Sequence, residues 1–145
     1  MEFKKILVPY DGSECSFRAF KIAIEMVKKF NSKLTVVTVI PKFYHTRSLY
    51  ANLNYEEILL KKQRDSAKKA LSKIQTNAKK QGIGVSIDIL ESNSVVKQIV
   101  SLAKSNKIDL IVMGTHGRTG LYKLILGSVA NGVSQRVSCS VLLVR

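Results

Sequence analysis

With 145 residues, the chain is long enough for one domain that removes about two thirds of its unfolded surface from water. A hydrophobic share of 46% excludes a disordered, highly charged tail, and no apolar run approaches the roughly 18 residues of a membrane span. The net charge of +14, from 24 basic and 10 acidic side chains, admits an anionic ligand, a nucleic acid or simply a solvated lysine-rich surface. No RNP-type aromatic motif, zinc-finger spacing or helix-turn-helix marks a dedicated nucleic-acid reader.

The N-terminus lacks the long apolar region and cleavage site of a signal peptide, so a cytoplasmic location is expected. Cys15 and Cys139 have neither metal-ligand spacing nor a CxxC partner and read as reduced, partly buried small residues. Two prolines leave little room for linkers, and residues 1–145 are expected to form a single domain.

In chain order, a short apolar run predicts a first strand over residues 4–8, followed by the turn Pro9-Tyr10-Asp11-Gly12-Ser13. Ser13 or Asp11 is placed to cap the helix that follows. In it Cys15, Ala19, Ala23, Met26 and Phe30 recur at helical spacing as a core-facing stripe, and Asn31-Ser32 ends it. The β-branched run 34–40 predicts a buried second strand, stopped by Pro41. Residues 42–54 show no periodicity and read as an excursion that could cover a site.

A long helix is predicted from about Tyr55 to Gln81, with Leu60, Ala67, Leu71, Ile74 and Ala78 on its inner face and Gly82 at its C-terminal stop. Its other faces carry Lys61, Lys62, Arg64, Lys68, Lys69, Lys73, Lys79 and Lys80, read as a solvated outer surface. Residues 85–90 alternate apolar and polar, which predicts an edge strand. Ser92-Asn93-Ser94 begins a third helix, with Val96, Ile99, Val100 and Ala103 on its apolar stripe. Leu110–Met113 reads as a buried strand and Ser140–Val144 as the fifth.

Alternating strands and helices imply an α/β fold: an open five-stranded parallel sheet with helices on both faces and right-handed crossovers. Apolar strands one and four belong in the middle and the alternating third at an edge, which an order of 3-2-1-4-5 satisfies. That order puts a topological switch point between strands one and four, where ligands bind at the carboxyl ends. Strand five would be the other edge. Its Val141, Leu142, Leu143 and Val144 would be an aggregation hazard if uncovered, so a homodimer paired along this strand is expected.

The loop after strand four carries glycines at 114, 117 and 120, and Gly127-Ser128 opens a segment in which Val129, Val133 and Val137 recur every four residues. Glycine lets backbone approach an anion closely, and a helix N-terminus offers unpaired N–H groups and a positive dipole end. The stretch 108–128 therefore reads as a phosphate-binding element.

Lys5 to Ser13, Asp109 to Gly117 and Gly127-Ser128-Val129 together resemble the universal stress protein family over nearly the whole chain. The spacing G-x2-G-x9-G-[S/T], here Gly114, Gly117, Gly127 and Ser128, is similar to that of the family's ATP-binding branch. The resemblance implies a Rossmann-like adenine-nucleotide fold and ATP as ligand, with or without a Mg or Mn ion bridging its phosphates. It implies that Asp11 contacts the ribose with Pro9 beside it, and that Val39 meets the adenine edge through its backbone. It places Met113 and Gly114 near the sugar, and His116 and Gly117 near the phosphates. Gly127, Ser128 and Val129 would bind those phosphates through main-chain N–H groups and the Ser128 hydroxyl. Asp11 could instead be only a helix cap, His116 only a loop residue, and Arg118 and Lys123 could reach phosphates or face water. Where many relatives have a Gly-[Asp/Asn]-Pro-type turn after the third strand, this chain has Ser92-Asn93-Ser94.

The expected function is that of an ATP-binding stress-response or regulatory protein whose nucleotide modulates partner contacts. The alternatives are a slow ATPase or self-phosphorylating protein using the same site, and a non-specific nucleic-acid binder acting through the basic helix. Efficient catalysis is not expected, because the chain lacks a GxxxxGK[ST] loop, a Walker-type acidic residue and an evident general base. No metal site is expected from the residues around His116.

Overall fold

Alternation along the central strands explains the layering. In the computed structural model, which describes residues 2–42, 53–117 and 126–145, strand β1 (Lys5–Pro9) sends Ile6 and Val8 to one side of the sheet and Leu7 to the other. All three are fully buried, as a strand covered on both faces requires. Residues 43–52, which hold most of the irregular stretch, together with Arg118, Gly120 and Lys123, lie outside the described residues.

The remaining elements are α1 (Glu14–Phe30), β2 (Lys33–Pro41), α2 (Leu53–Lys80), β3 (Val85–Ser92), α3 (Val95–Ser105), β4 (Leu110–Gly114), α4 (Ser128–Arg136) and β5 (Ser140–Val144). The five strands form one parallel sheet in the order β3-β2-β1-β4-β5. The expected 3-2-1-4-5 order and edge position of strand three are observed. Ile6, Val8, Leu34, Val36, Leu110 and Val112 pack against α1 and α2. Leu7, Val37, Ile111 and Met113 pack against α3 and α4. Helices therefore cover both faces, α1 and α2 on one side and α3 and α4 on the other.

The buried stripe of α1 is rotated from the expected one. Ser16, Ala19, Phe20, Ala23, Ile24 and Val27 are buried, whereas Cys15, Met26 and Phe30 are only half-buried. Fully buried Phe20 is the largest side chain in that interior, and seating it turns the helix by about one residue's angle. In α2 the expected Ala67, Leu71, Ile74 and Ala78 are buried, while Leu60 is half-buried. Gly82 has a φ of 73° and ends the helix as expected. In α3 it is Ile99 and Ala103 that are buried, with Val96 and Val100 at the margin; in α4, Val133 is buried and Val137 is the C-terminal cap.

Two strand ends also differ. Pro41 is the last residue of β2 and does not stop it earlier, and Ser92 closes β3 without starting α3. Both sit where β2 and β3 pair to their ends, Pro41 opposite Ser92. The helix start falls to Ser94, whose hydroxyl accepts the Lys97 N–H at 3.2 Å. Ser92 stitches the turn, its Oγ donating to the Ser94 carbonyl at 3.1 Å and accepting the Ser94 N–H at 3.2 Å. Hydroxyls thus do locally what a proline-containing turn does by ring constraint.

The ends of β2 and β3 are tied to α2 by charge. Glu91 accepts from Arg64 and lies 3.4 Å from Lys42 Nζ. The Arg64 hydrogen bond, aided by Lys42, holds the Glu91 carboxyl below the usual carboxylate range, although burial works the other way. The eight basic side chains assigned to the outer faces of α2 are all exposed. Both cysteines are free and half-buried, and burial pushes the Cys139 thiol up. Among the described residues, no helix is long and apolar enough to cross a membrane.

Candidate functional site

From their carboxyl ends, β1 leads to α1 on one face of the sheet and β4 leads to α4 on the other. Backbones leaving adjacent strands toward opposite faces open a crevice between them, the usual ligand position in this architecture. The crevice here has a volume of about 210 Å³. All ten residues singled out from the sequence line it: Pro9, Asp11 and Val39 on the β1–β2 side, Met113, Gly114, His116 and Gly117 after β4, and Gly127, Ser128 and Val129 at the start of α4. One wall is apolar, built by Val37, Val39, Val95, Ile99 and Met113; the other is backbone, hydroxyl, carboxylate and imidazole.

Ser13, not Asp11, is the cap of α1, accepting the Ser16 N–H at 3.2 Å. Asp11 acts one step earlier, its Oδ1 accepting the Ser13 N–H at 2.9 Å. That bond fixes the carboxylate at the mouth, against Gly117. A Cβ on Gly117 would lie 2.9 Å from Asp11 Oδ2, so a larger residue there would push the carboxylate aside. The turn is anchored below by Tyr10, which donates its N–H to Val37 O at 2.8 Å and accepts from Thr38 Oγ1 at 2.7 Å.

Across the crevice, Gly127 donates its N–H to Thr115 O at 2.8 Å, and a Cβ on Gly127 would also stand 2.8 Å from that oxygen. The start of α4 is thus pressed against the end of β4. Gly127 brings no side-chain cap, in contrast to Ser13 and Ser94 at the starts of α1 and α3. Gly127, Ser128, Val129 and Ala130, the cap residue and first turn of α4 at the positive end of the helix dipole, line the crevice. Around them the backbone is close-packed and glycine-lined, which suits an anion bound by main chain.

Next to this cradle, Thr115 Oγ1 lies 2.8 Å from His116 Nδ1, and Ser13 Oγ donates to the His116 carbonyl at 3.5 Å. Thr115 is 7% exposed and its N–H donates to Val144 O, so the loop is rooted in β5 as well. Among the described residues no three His, Cys, Asp or Glu side chains gather as a metal-ligand group. A second hollow of about 410 Å³ adjoins the crevice across Tyr10, Asp11 and Val39, walled on its far side by Lys62, Gln63 and Ser66 of α2.

Sequence reasoning missed part of the lining. Val95 and Ile99 enter from the first turns of α3, and only their helical spacing was legible, not that this turn reaches the crevice. Thr115 carries no motif signal of its own, since its neighbours Gly114 and His116 hold the recognisable pattern. A polar residue directly after a buried strand was the available signal.

Comparison with known proteins gives the family and the fold. A sequence model described as the universal stress protein family matches residues 2–145. The chain belongs to the universal stress protein family. A universal stress protein of Methanocaldococcus jannaschii is 35% identical over 146 residues, covering 99% of this chain and 82% of that relative. The solved universal stress protein UspA of Lactobacillus plantarum superposes with a TM-score of 0.90 at 26% identity, covering 100% of this chain and 99% of the other. A universal stress protein solved in complex with cAMP gives a TM-score of 0.69 at 25% identity, covering 100% of this chain and 98% of the other. That family member therefore holds an adenine nucleotide on the same fold.

Proposed function

We propose that this universal stress protein binds an adenine nucleotide, ATP in the first instance, in the crevice between β1 and β4. The observation that carries the reading is the convergence of an uncapped helix start at Gly127-Ser128 with the Asp11 carboxylate across one glycine-lined crevice. Triphosphate would lie on the N–H groups of α4 and the Ser128 hydroxyl, with His116 and Gly117 alongside. Ribose hydroxyls would meet Asp11, a carboxylate already oriented by the Ser13 N–H. The base would lie against Val39 and the apolar wall. Micromolar affinity requires about 8 kcal/mol, more than any one of these contacts supplies, so burial of the base and several N–H bonds to phosphate must act together.

The complex would be a regulatory state: nucleotide held in place, altering contacts with partner proteins in the cytoplasm. The working unit in this reading is a homodimer paired along β5, an edge strand whose Leu142 is 37% exposed while Val141 and Leu143 are half-buried. Mass spectrometry of small molecules released from the purified protein, followed by thermal shift with ATP, ADP, AMP and GTP, tests the ligand. Adenine nucleotides should raise the melting temperature and GTP should not. Absence of any released nucleotide together with no shift at millimolar ATP would overturn the reading.

A further inference from the structure

We propose that Thr115 is the positioning residue for His116, its hydroxyl holding the imidazole in the attitude that meets a ligand's phosphate. The proposal rests on the adenine-nucleotide reading of the crevice and assigns a task to a residue that reading does not use. Thr115 Oγ1 stands 2.8 Å from His116 Nδ1, and the pair is partly buried. The origin of the threonine side chain cannot drift, because both of its backbone groups are committed. Its N–H donates to Val144 O at 2.8 Å, and its carbonyl accepts the Gly127 N–H at 2.8 Å. The hydroxyl is thus referenced to β5 on one side and to the phosphate-facing start of α4 on the other.

Ordering a loop histidine on binding opposes association, and a hydroxyl that already engages the ring lowers that cost. With the hydroxyl donating to Nδ1, the ring is held in one attitude and its proton lies on Nε2, the nitrogen that would then donate to a phosphate oxygen. A hydroxyl can donate to an unprotonated Nδ1 or accept from a protonated one. Valine has the same shape as threonine and can do neither, whereas serine keeps the hydroxyl.

The test compares wild type with Thr115→Val, Thr115→Ser and His116→Gln by calorimetry with ATP and with adenosine, each variant checked by thermal melting. Imidazole nitrogen NMR reports the ring state directly, since the chain has two histidines and His116→Gln identifies the signal. Thr115→Val should weaken ATP about three- to tenfold, the worth of one hydrogen bond, and leave adenosine unchanged. It should also shift the His116 ring-nitrogen signals, and Thr115→Ser should restore both. Equal loss of ATP and adenosine in Thr115→Val, or unaltered ATP affinity and His116 signals, would overturn the proposal. Unaltered ATP affinity in His116→Gln would overturn it too while leaving nucleotide binding intact. Failure of the wild type to bind either ligand would instead remove the nucleotide reading itself, and this proposal with it.

Discussion

Replacing Gly127 by alanine adds a single methyl group at the point where α4 presses on the end of β4. Its φ of −57° is one any residue adopts, so the substitution acts through contact, not backbone strain. The new Cβ would stand 2.8 Å from Thr115 O, with His116 Cα at 3.5 Å. Relief of that contact requires the helix start to withdraw by about 0.7 Å, since non-bonded contacts relax toward about 3.5 Å. The Gly127 N–H···O Thr115 bond, now 2.8 Å, weakens with it. Loss of that bond lowers folding stability by about 1 kcal/mol. Displacing the first-turn N–H groups from the phosphates removes two or three interactions of about 0.3–1 kcal/mol each. ATP affinity should then fall by about 2 kcal/mol, roughly thirtyfold, while adenosine, which reaches only the other half of the crevice, loses little. Calorimetry on wild type and Gly127→Ala with both ligands measures this. A folded variant that binds ATP as tightly as wild type would refute the assignment of α4 to the phosphates.

Asp11→Ala should weaken ATP and adenosine alike by about 1–2 kcal/mol, because the ribose contact is common to both; a loss confined to ATP would place the carboxylate elsewhere. Leu142→Lys puts like charges into any pairing of β5 edges and should convert a dimer to a monomer by light scattering; an unchanged mass at micromolar concentration would count against that interface. Glu91→Gln should lower thermal stability at pH 7, where the carboxylate faces Arg64 and Lys42. Because the folded carboxyl titrates below its unfolded value, its contribution is complete above the unfolded pKa near ~4.3 and disappears as the pH falls through the lower folded value. Melting curves of the two proteins should therefore separate at pH 6–8, and the gap should narrow steadily as the pH falls below the unfolded carboxyl value. A gap of the same size at pH 3 as at pH 7 would mean that charge is not what ties α2 to β3.

Strand order was legible because burial leaves its mark on composition. β1 and β4 are apolar on both faces and had to be central, while the alternation of β3 marked it as an edge. The crevice followed from that order, and glycines at 114, 117 and 127 marked where backbone comes close. Rotation of α1 was not legible, since Phe20 and Ile24 fit the helical repeat about as well as Met26 and Phe30, and only the shape of the opposing sheet decides between them. Thr115 escaped for a similar reason. Its role depends on Val144, Gly127 and His116 meeting around it, and local spacing does not encode a contact between β4, β5 and α4.

Equilibrium dialysis of the purified chain against labelled ATP, with the bound amount counted per chain, addresses the central claim most directly. One ATP per chain, saturating in the micromolar range and displaced by unlabelled AMP, is the predicted result. No saturable binding up to millimolar ATP, from protein first stripped of any resident ligand, would contradict it.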